Sequence, residues 1–281
     1  MTKFFDRTRT HGRPAFATYK GDLYLLHRGN WEDETISYMK YDADHGWGKP
    51  SKISDSVTAK DVGACEFNDE LHVVHRGGGN ETILWHTWFE NGNWAKKERI
   101  SWDRDFEPFS GPALAVFRGA LYCVVCQTDD RMWWGRFDGH RWEERGTFGY
   151  RPMKRDAGPA LAVYKDVLYC VVVSGDSTLF WSKFDGKDWS QLDPLGQVED
   201  DYRCSMDSPA LCVFGEQLYC VVRGDFGELC WTVFDGFRWS QLFWSEMEVG
   251  QRGLALTAYW GKNSMEKEQL FCAFESDHYG I

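Results

Sequence analysis

No run of lysine or arginine interrupts this 281-residue chain, whose formal net charge is −11. The electrostatic footprint that nucleic acid or an anionic membrane surface demands is therefore missing. Neutral or cationic ligands suit such a surface better. Nowhere does the sequence approach the roughly 18 consecutive apolar residues of a membrane-crossing helix, and the opening MTKFFDRTRT lacks the apolar segment of a secretion signal. The expectation is a soluble, cytoplasmic protein without membrane insertion.

Catalytic signatures are missing too: there is no HExxH, no GxSxG and no phosphate-binding loop. The acidic stretch Glu199-Asp200-Asp201 lacks the spacing of a calcium loop. Neither a metal nor a cofactor is expected. Catalysis stays open all the same, because some folds gather an active site from scattered residues. Glycine and proline sit at turns rather than in a linker, which argues for a single domain over 1–281.

What the chain does have is a repeat. The cysteines disclose it first: four of the nine, Cys123, Cys170, Cys220 and Cys272, hold the same place in successive copies, where valine or leucine would serve. They read as small buried apolar residues rather than a disulfide framework. The strands around them begin at Leu23, Leu71, Leu121, Leu168, Leu218 and Leu270, at intervals of about 47 to 52 residues. Another apolar run precedes each one across a short polar turn such as Lys20-Gly21-Asp22, which is a hairpin signal.

Downstream comes an aromatic–acid pair (Tyr41-Asp42, Phe89-Glu90, Phe137-Asp138, Phe184-Asp185, Phe234-Asp235) that ends a third strand. A turn follows, Asp-Gly in three copies, and then Trp47, Trp94, Trp142, Trp189 or Trp239 opens a fourth. Short, evenly spaced strands with aromatics once per unit are the signature of a propeller blade. The expected fold is all-β: a six-bladed β-propeller with blades near 14–60, 63–105, 111–152, 158–203, 208–250 and 253–281. Residues 1–9 would complete the sixth blade by pairing the chain ends. Only about eight residues separate Asp6 from Pro14, so that blade is expected to lack its fourth strand.

In a propeller the loops between second and third strands, and those between blades, emerge on one face. There the sequence places His27-Arg28-Gly29-Asn30-Trp31-Glu32, His75-Arg76-Gly77 and Arg223-Gly224-Asp225-Phe226, with Gln127 and Ser174 at the matching positions of blades three and four. Trp102, Arg131 and Tyr202 join them from neighbouring loops. Arginine with carboxylate and aromatic neighbours can hydrogen-bond adjacent hydroxyls while an aromatic face covers the apolar side of a sugar ring. A plainer reading stands beside it: the repeated Arg-Gly satisfies backbone carbonyls at a turn. Trp85, Trp134, Trp181 and Trp231 read as blade packing, whereas Trp31 and Trp102 fall in loops. His27 and His75 read as turn hydrogen-bonding residues, since no third metal ligand stands beside them.

The phrases GPALAVFRGALYCVV, GPALAVYKDVLYCVVVSG and SPALCVFGEQLYCVVRG, each followed by a W-x-x-FDG-x-x-W-like segment, resemble the sugar-binding propeller lectins of fungi and bacteria, the six-bladed fucose-binding type among them. The resemblance implies related pockets between adjacent blades, built from Arg, a carboxylate and Trp. Here those would draw on Arg28, Glu32 and Trp31, on Arg76 and Glu81, and on Arg223 and Glu228, although no single triad recurs in all six copies. The Ser-x-Asp-x-Gly-x-Thr-Trp box of sialidase-type propellers is missing. The leading expectation is a carbohydrate-binding, lectin-like propeller with a glycan or small-molecule ligand. The alternatives are a cyclase- or pericyclase-type enzyme with one central pocket for a small apolar substrate, and a protein-interaction scaffold.

Overall fold

A computed structural model describes residues 12–29, 32–102, 107–195, 207–248, 253–261 and 268–274. All its regular elements are β-strands, arranged as a propeller of small antiparallel sheets. Blade one contains β1 (Ala15–Tyr19), β2 (Asp22–Arg28), β3 (Thr35–Asp42), β4 (Gly46–Trp47) and β5 (Ser51–Val57). Blade two contains β6 (Val62–Phe67), β7 (Glu70–Arg76), β8 (Leu84–Glu90), β9 (Asn93–Trp94) and β10 (Glu98–Ile100). Blade three follows with β11 (Ala113–Phe117), β12 (Ala120–Cys126), β13 (Arg131–Phe137) and β14 (Trp142–Tyr150). Blade four has β15 (Ala160–Tyr164), β16 (Val167–Val173), β17 (Leu179–Phe184) and β18 (Asp193–Pro194). Blade five has β19 (Ala210–Phe214), β20 (Gln217–Arg223), β21 (Glu228–Phe234) and β22 (Phe243–Glu248). A hairpin of β23 (Ala255–Tyr259) and β24 (Gln269–Ala273) comes last.

Turn chemistry explains the inner hairpins. Each of the first five closes on two residues with positive φ: Lys20-Gly21, Asn68-Asp69, Arg118-Gly119, Lys165-Asp166 and Gly215-Glu216. That conformation matches the twist of the flanking strands, which is why tight hairpins prefer it. The innermost strands β1, β6, β11, β15, β19 and β23 lie side by side in cyclic order, β23 returning to β1. Second strands such as β12 and β16 are buried along nearly their whole length, because neighbouring sheets cover both faces.

Aromatic pairs weld the seams. Trp94 meets Tyr38 of the preceding blade edge-on at 5.4 Å, and Trp142 meets His86 at 5.4 Å. Trp189 meets Trp134 at 6.2 Å, and Trp239 meets Trp181 at 6.2 Å. Each such pair adds about 0.5–1.5 kcal/mol beyond its buried area.

Two details differ from the sequence reading. Only Trp142 opens a fourth strand; Trp47 and Trp94 end two-residue strands, and Trp189 and Trp239 make isolated bridges to Phe184 and Phe234. These rings close the turn, and the outer strand comes later. The second-blade counterpart of Trp134, Trp181 and Trp231 is His86, not Trp85, because His86 is the residue that pairs with Val74 as Trp134 pairs with Val124. Cys123, Cys170 and Cys220 are buried as the sequence implied; Cys123 and Cys126 stand in a Cys-x-x-Cys spacing, but on a strand such positions face opposite ways. Cys123 packs with Val74 and Cys126 with Cys170 and Val172, so they cannot act as a dithiol pair. The expected pairing of residues 1–9 with the chain's end lies outside the described residues.

Candidate functional site

The propeller axis offers little room. The channel between the inner strands has a volume of about 90 Å³ and is walled mainly by alanine, glycine, proline and leucine. That is space for a handful of waters, well below the roughly 300–1,000 Å³ of a typical small-molecule pocket. At the start of the inner strands Arg13, Asp61, Gly111, Gly158, Ser208 and Gly253 occupy matching positions, each one or two residues before its inner strand.

Four of these six, Arg13, Asp61, Gly158 and Ser208, are tied into a cross-brace. Arg13 Nη1 donates to the carbonyls of Pro159 (3.1 Å) and Pro209 (2.7 Å), while Asp61 Oδ1 accepts from the Arg13 backbone N–H at 2.9 Å. Ser208 Oγ donates to Asp61 Oδ2 at 2.9 Å and accepts from Gly158 N–H at 2.8 Å. The small residues at the other positions make space: a Cβ on Gly111 would collide with the Asp61 backbone, and one on Gly253 with Arg13.

The polar groups that remain available sit at the seams between blades. Along a strand side chains alternate faces. Tyr24 and Leu26 pack with Val62, Leu71 and Val73 of blade two, so Arg28, two residues on, faces the same seam. By the same period Val74, which packs with Cys123 and Val125, directs Arg76 toward blade three. Val221, packed with Leu254 and Leu256, directs Arg223 toward the final hairpin. All three arginines end a second strand and stand at the loop-rich mouth of a seam.

Arg76 is 8% exposed, and its Nε has no hydrogen-bond partner among the described residues. Burial lowers its pKa from the usual arginine value, against the opposing pull of Asp156, Glu34 and Glu81. The Nε of half-buried Arg223 is likewise buried without a partner among the described residues. A buried guanidinium edge costs free energy until it finds an acceptor, which a ligand hydroxyl or carboxylate supplies.

A local rule couples each arginine to an acid. Glycine follows the arginine, and a carboxylate folds back over it from five residues beyond the arginine: Asp33 over Gly29, Glu81 over Gly77 and Glu228 over Gly224. A Cβ at any of these glycines would run into the acid. In blade five, Glu228 Oε2 accepts from the N–H of Phe226 at 3.0 Å, and the Phe226 ring stands 82% exposed beside it. That loop presents a cation edge, a carboxylate and an aromatic face together. Blades three and four are different: Gln127 Oε1 accepts from Glu107 N–H at 2.8 Å, and Ser174 Oγ donates to Asp176.

The remaining sequence candidates scatter. Glu32 is exposed, and Arg28 instead donates from Nη2 to Glu34 Oε1 at 3.1 Å. Arg131 is exposed and begins the third strand of blade three, its guanidinium 5.8 Å from the Tyr150 ring. Trp102 lies outside the strands, as the sequence implied, but its ring packs at the seam of blades two and three with Val74, Cys123 and Trp142, where it fills the space above Gly135. Trp31 and Tyr202 lie outside the described residues. His27 and His75 bond the carbonyls of Arg28 and Arg76 through Nδ1 at 2.9 and 3.0 Å. The sequence reading left out Asp33 and Glu34, and placed Phe226 on this face without assigning it to a pocket. Aligning the three Arg-Gly segments by their glycines would have found Asp33.

No protein-family model matches the chain, and no curated protein matches it. Solved structures do. The fucose-specific lectin of Aleuria aurantia superposes with a TM-score of 0.70 at 12% identity, over 96% of this chain and 91% of that one. SapL1 lectin, solved in complex with alpha methyl fucoside, gives 0.69 at 13%, over 94% and 89%. A triple arginine-to-alanine mutant of AofleA from Arthrobotrys oligospora gives 0.70 at 11%, over 93% and 79%. At such identities the likeness is one of fold.

Proposed function

We propose that this protein is a carbohydrate-binding propeller whose pockets lie at the seams between blades on the loop-rich face. The observation that carries the reading is the recurring Arg-Gly-x-x-x-acid loop, with the Nε of Arg76 and of Arg223 buried and unpartnered among the described residues beside Glu81 and Glu228. An arginine edge and a neighbouring carboxylate recognise adjacent hydroxyls of a neutral sugar, and Phe226 covers its apolar side at the blade-five seam. Lectins of the same fold bind fucosides, which makes methyl α-L-fucoside the first probe. Weak sites repeated around one molecule gain strength on multivalent glycans.

The same reading extends to the architecture. Hairpin β23–β24 takes the sixth place around the axis, between β19 and β1, which supports six blades. The alternative of an enzyme with one central pocket is not favoured: the axial channel, of about 90 Å³, is small for such a substrate, and Arg13 and Asp61 brace its end. A glycan array followed by calorimetric stoichiometry tests the proposal. One sugar class binding at two or more sites per chain supports it, and silence across the array refutes it.

A further inference from the structure

The three Arg-Gly-x-x-x-acid loops are not in the same state, and one residue accounts for the difference. Blades one and two have loops of equal length, since Gly29 N–H bonds Thr35 O and Gly77 N–H bonds Ile83 O. Position 34 in the first loop therefore corresponds to position 82 in the second. Blade two has Thr82 there; blade one has Glu34.

Glu34 is clamped from both sides. Its Oε1 accepts from Arg28 Nη2 at 3.1 Å, its Oε2 accepts from the N–H of Gly79 in blade two at 2.8 Å, and its own carbonyl accepts from Thr58 N–H at 2.9 Å. Gly78 presses against the same carboxylate, where a Cβ would collide with it and with Val57. The acid of this loop is engaged as well: Asp33 accepts from Thr35 N–H at 2.9 Å and from Lys52 at 3.2 Å. Those hydrogen bonds, Thr35 first, hold its carboxyl down at about 2. By contrast the side chain of Arg76, buried to a similar degree, makes no hydrogen bond or ion pair with any described residue.

We infer that Glu34 is a built-in occupant of the first seam: its carboxylate takes the place on Arg28 that a ligand oxygen takes on Arg76 and Arg223, so that blade one carries a closed copy of the site and blades two and five carry open ones. This rests on the carbohydrate-binding reading above. The physical logic is competition at high effective concentration. A tethered carboxylate, anchored by Gly79 and charge-paired with Arg28, outcompetes a neutral hydroxyl arriving from solution. Glu34 thereby sets the number of working sites without touching the ligand itself.

The test is Glu34→Thr, which installs the residue blade two uses at the same position. Calorimetry with methyl α-L-fucoside is expected to show two sites per wild-type chain, three in Glu34→Thr, and two again in Glu34→Thr/Arg28→Ala. An unchanged stoichiometry in Glu34→Thr, with Arg76→Ala still removing a site, overturns the inference while leaving the sugar-binding reading intact. Should no sugar bind at all, that reading fails instead, and closure is judged without ligand from guanidinium NMR. Separate Arg28 Nη resonances in the wild type, from hindered rotation, that merge in Glu34→Thr sustain the closure; resonances already merged in the wild type refute it.

Discussion

Acid should loosen this propeller at one identifiable seam. In blades three and four the second and third strands stack a tyrosine on a tryptophan, Tyr122 on Trp134 and Tyr169 on Trp181, each at 6.0 Å. Blade two puts His72 and His86 there, stacked at 5.1 Å and hydrogen-bonded Nδ1 to Nε2 at 2.8 Å, each 1% exposed. His72 Nε2 also reaches the carbonyl of Phe67 at 3.1 Å and Glu70 at 3.2 Å. Phe137 and Trp142 of blade three close over His86.

Burial lowers His72 to about 4, and burial together with the neighbouring His72 and His75 lowers His86 to about 3. Both values lie below the roughly 6.5 of an unfolded histidine. The folded state therefore holds them neutral, and the unfolded state takes up protons first as pH falls. Their contribution is complete above pH about 6.5 and is lost on the way down toward 4. Between pH 7 and 4.5 the loss is roughly 2–3 kcal/mol for His72 alone. The assay is urea unfolding at both pH values for the wild type and for His72→Tyr/His86→Trp, which restores the pair used elsewhere. The wild type should lose at least that much more stability than the variant on acidification, since the carboxylates common to both cancel in the difference. Equal losses would refute the reasoning.

Three other perturbations separate brace from binding site. Arg13→Ala leaves Asp61 buried without its charge partner and should cost about 3–5 kcal/mol in urea unfolding; a cost under 1 kcal/mol would show that the axial brace is incidental. Gly224→Ala pushes the flexible Glu228 carboxylate away from Arg223, so calorimetry should register one sugar site fewer with the melting temperature nearly unchanged; an undiminished site count would remove Glu228 from the pocket. Gly111→Ala is the contrasting glycine, because its Cβ would strike the Asp61 backbone rather than a side-chain tip. It should destabilise by about 1–3 kcal/mol, measured in the same urea assay, a cost in line with overpacking.

The propeller was legible in the sequence because each blade repeats its own punctuation. The Leu-led second strand, the polar turn and the aromatic–acid pair recur even where individual residues vary. What misled was local register. The fourth-strand tryptophans looked like strand openers because they follow Asp-Gly turns, yet their bulk closes the turn and delays the outer strand, as at Trp189 and Trp239. Trp85 caught the eye beside a repeat-equivalent histidine, since tryptophan is the commoner packing residue at that place.

The site was legible in part for the same reason. Arg28, Arg76 and Arg223 stand out by their following glycines, and the acids Glu81 and Glu228 lie at one common distance. In blade one three successive acids, Glu32, Asp33 and Glu34, follow the arginine; the shared spacing singles out Asp33, but nothing in the sequence shows which acid pairs with Arg28. Only the fold shows that Glu32 faces solvent, that Asp33 folds back over Gly29 and that Glu34 takes the arginine. The brace between Arg13 and Asp61 was illegible, because it joins residues 48 apart, at the inner edges of two neighbouring blades.

The most direct test of the sugar-binding account is a crystal structure of the wild-type protein soaked with methyl α-L-fucoside. The account predicts sugar at the seam of blades two and three, hydrogen-bonded to Arg76, and at the seam after blade five, against Arg223 and Phe226. Sugar in the axial channel, or on the outer strands with both arginines untouched, would contradict it.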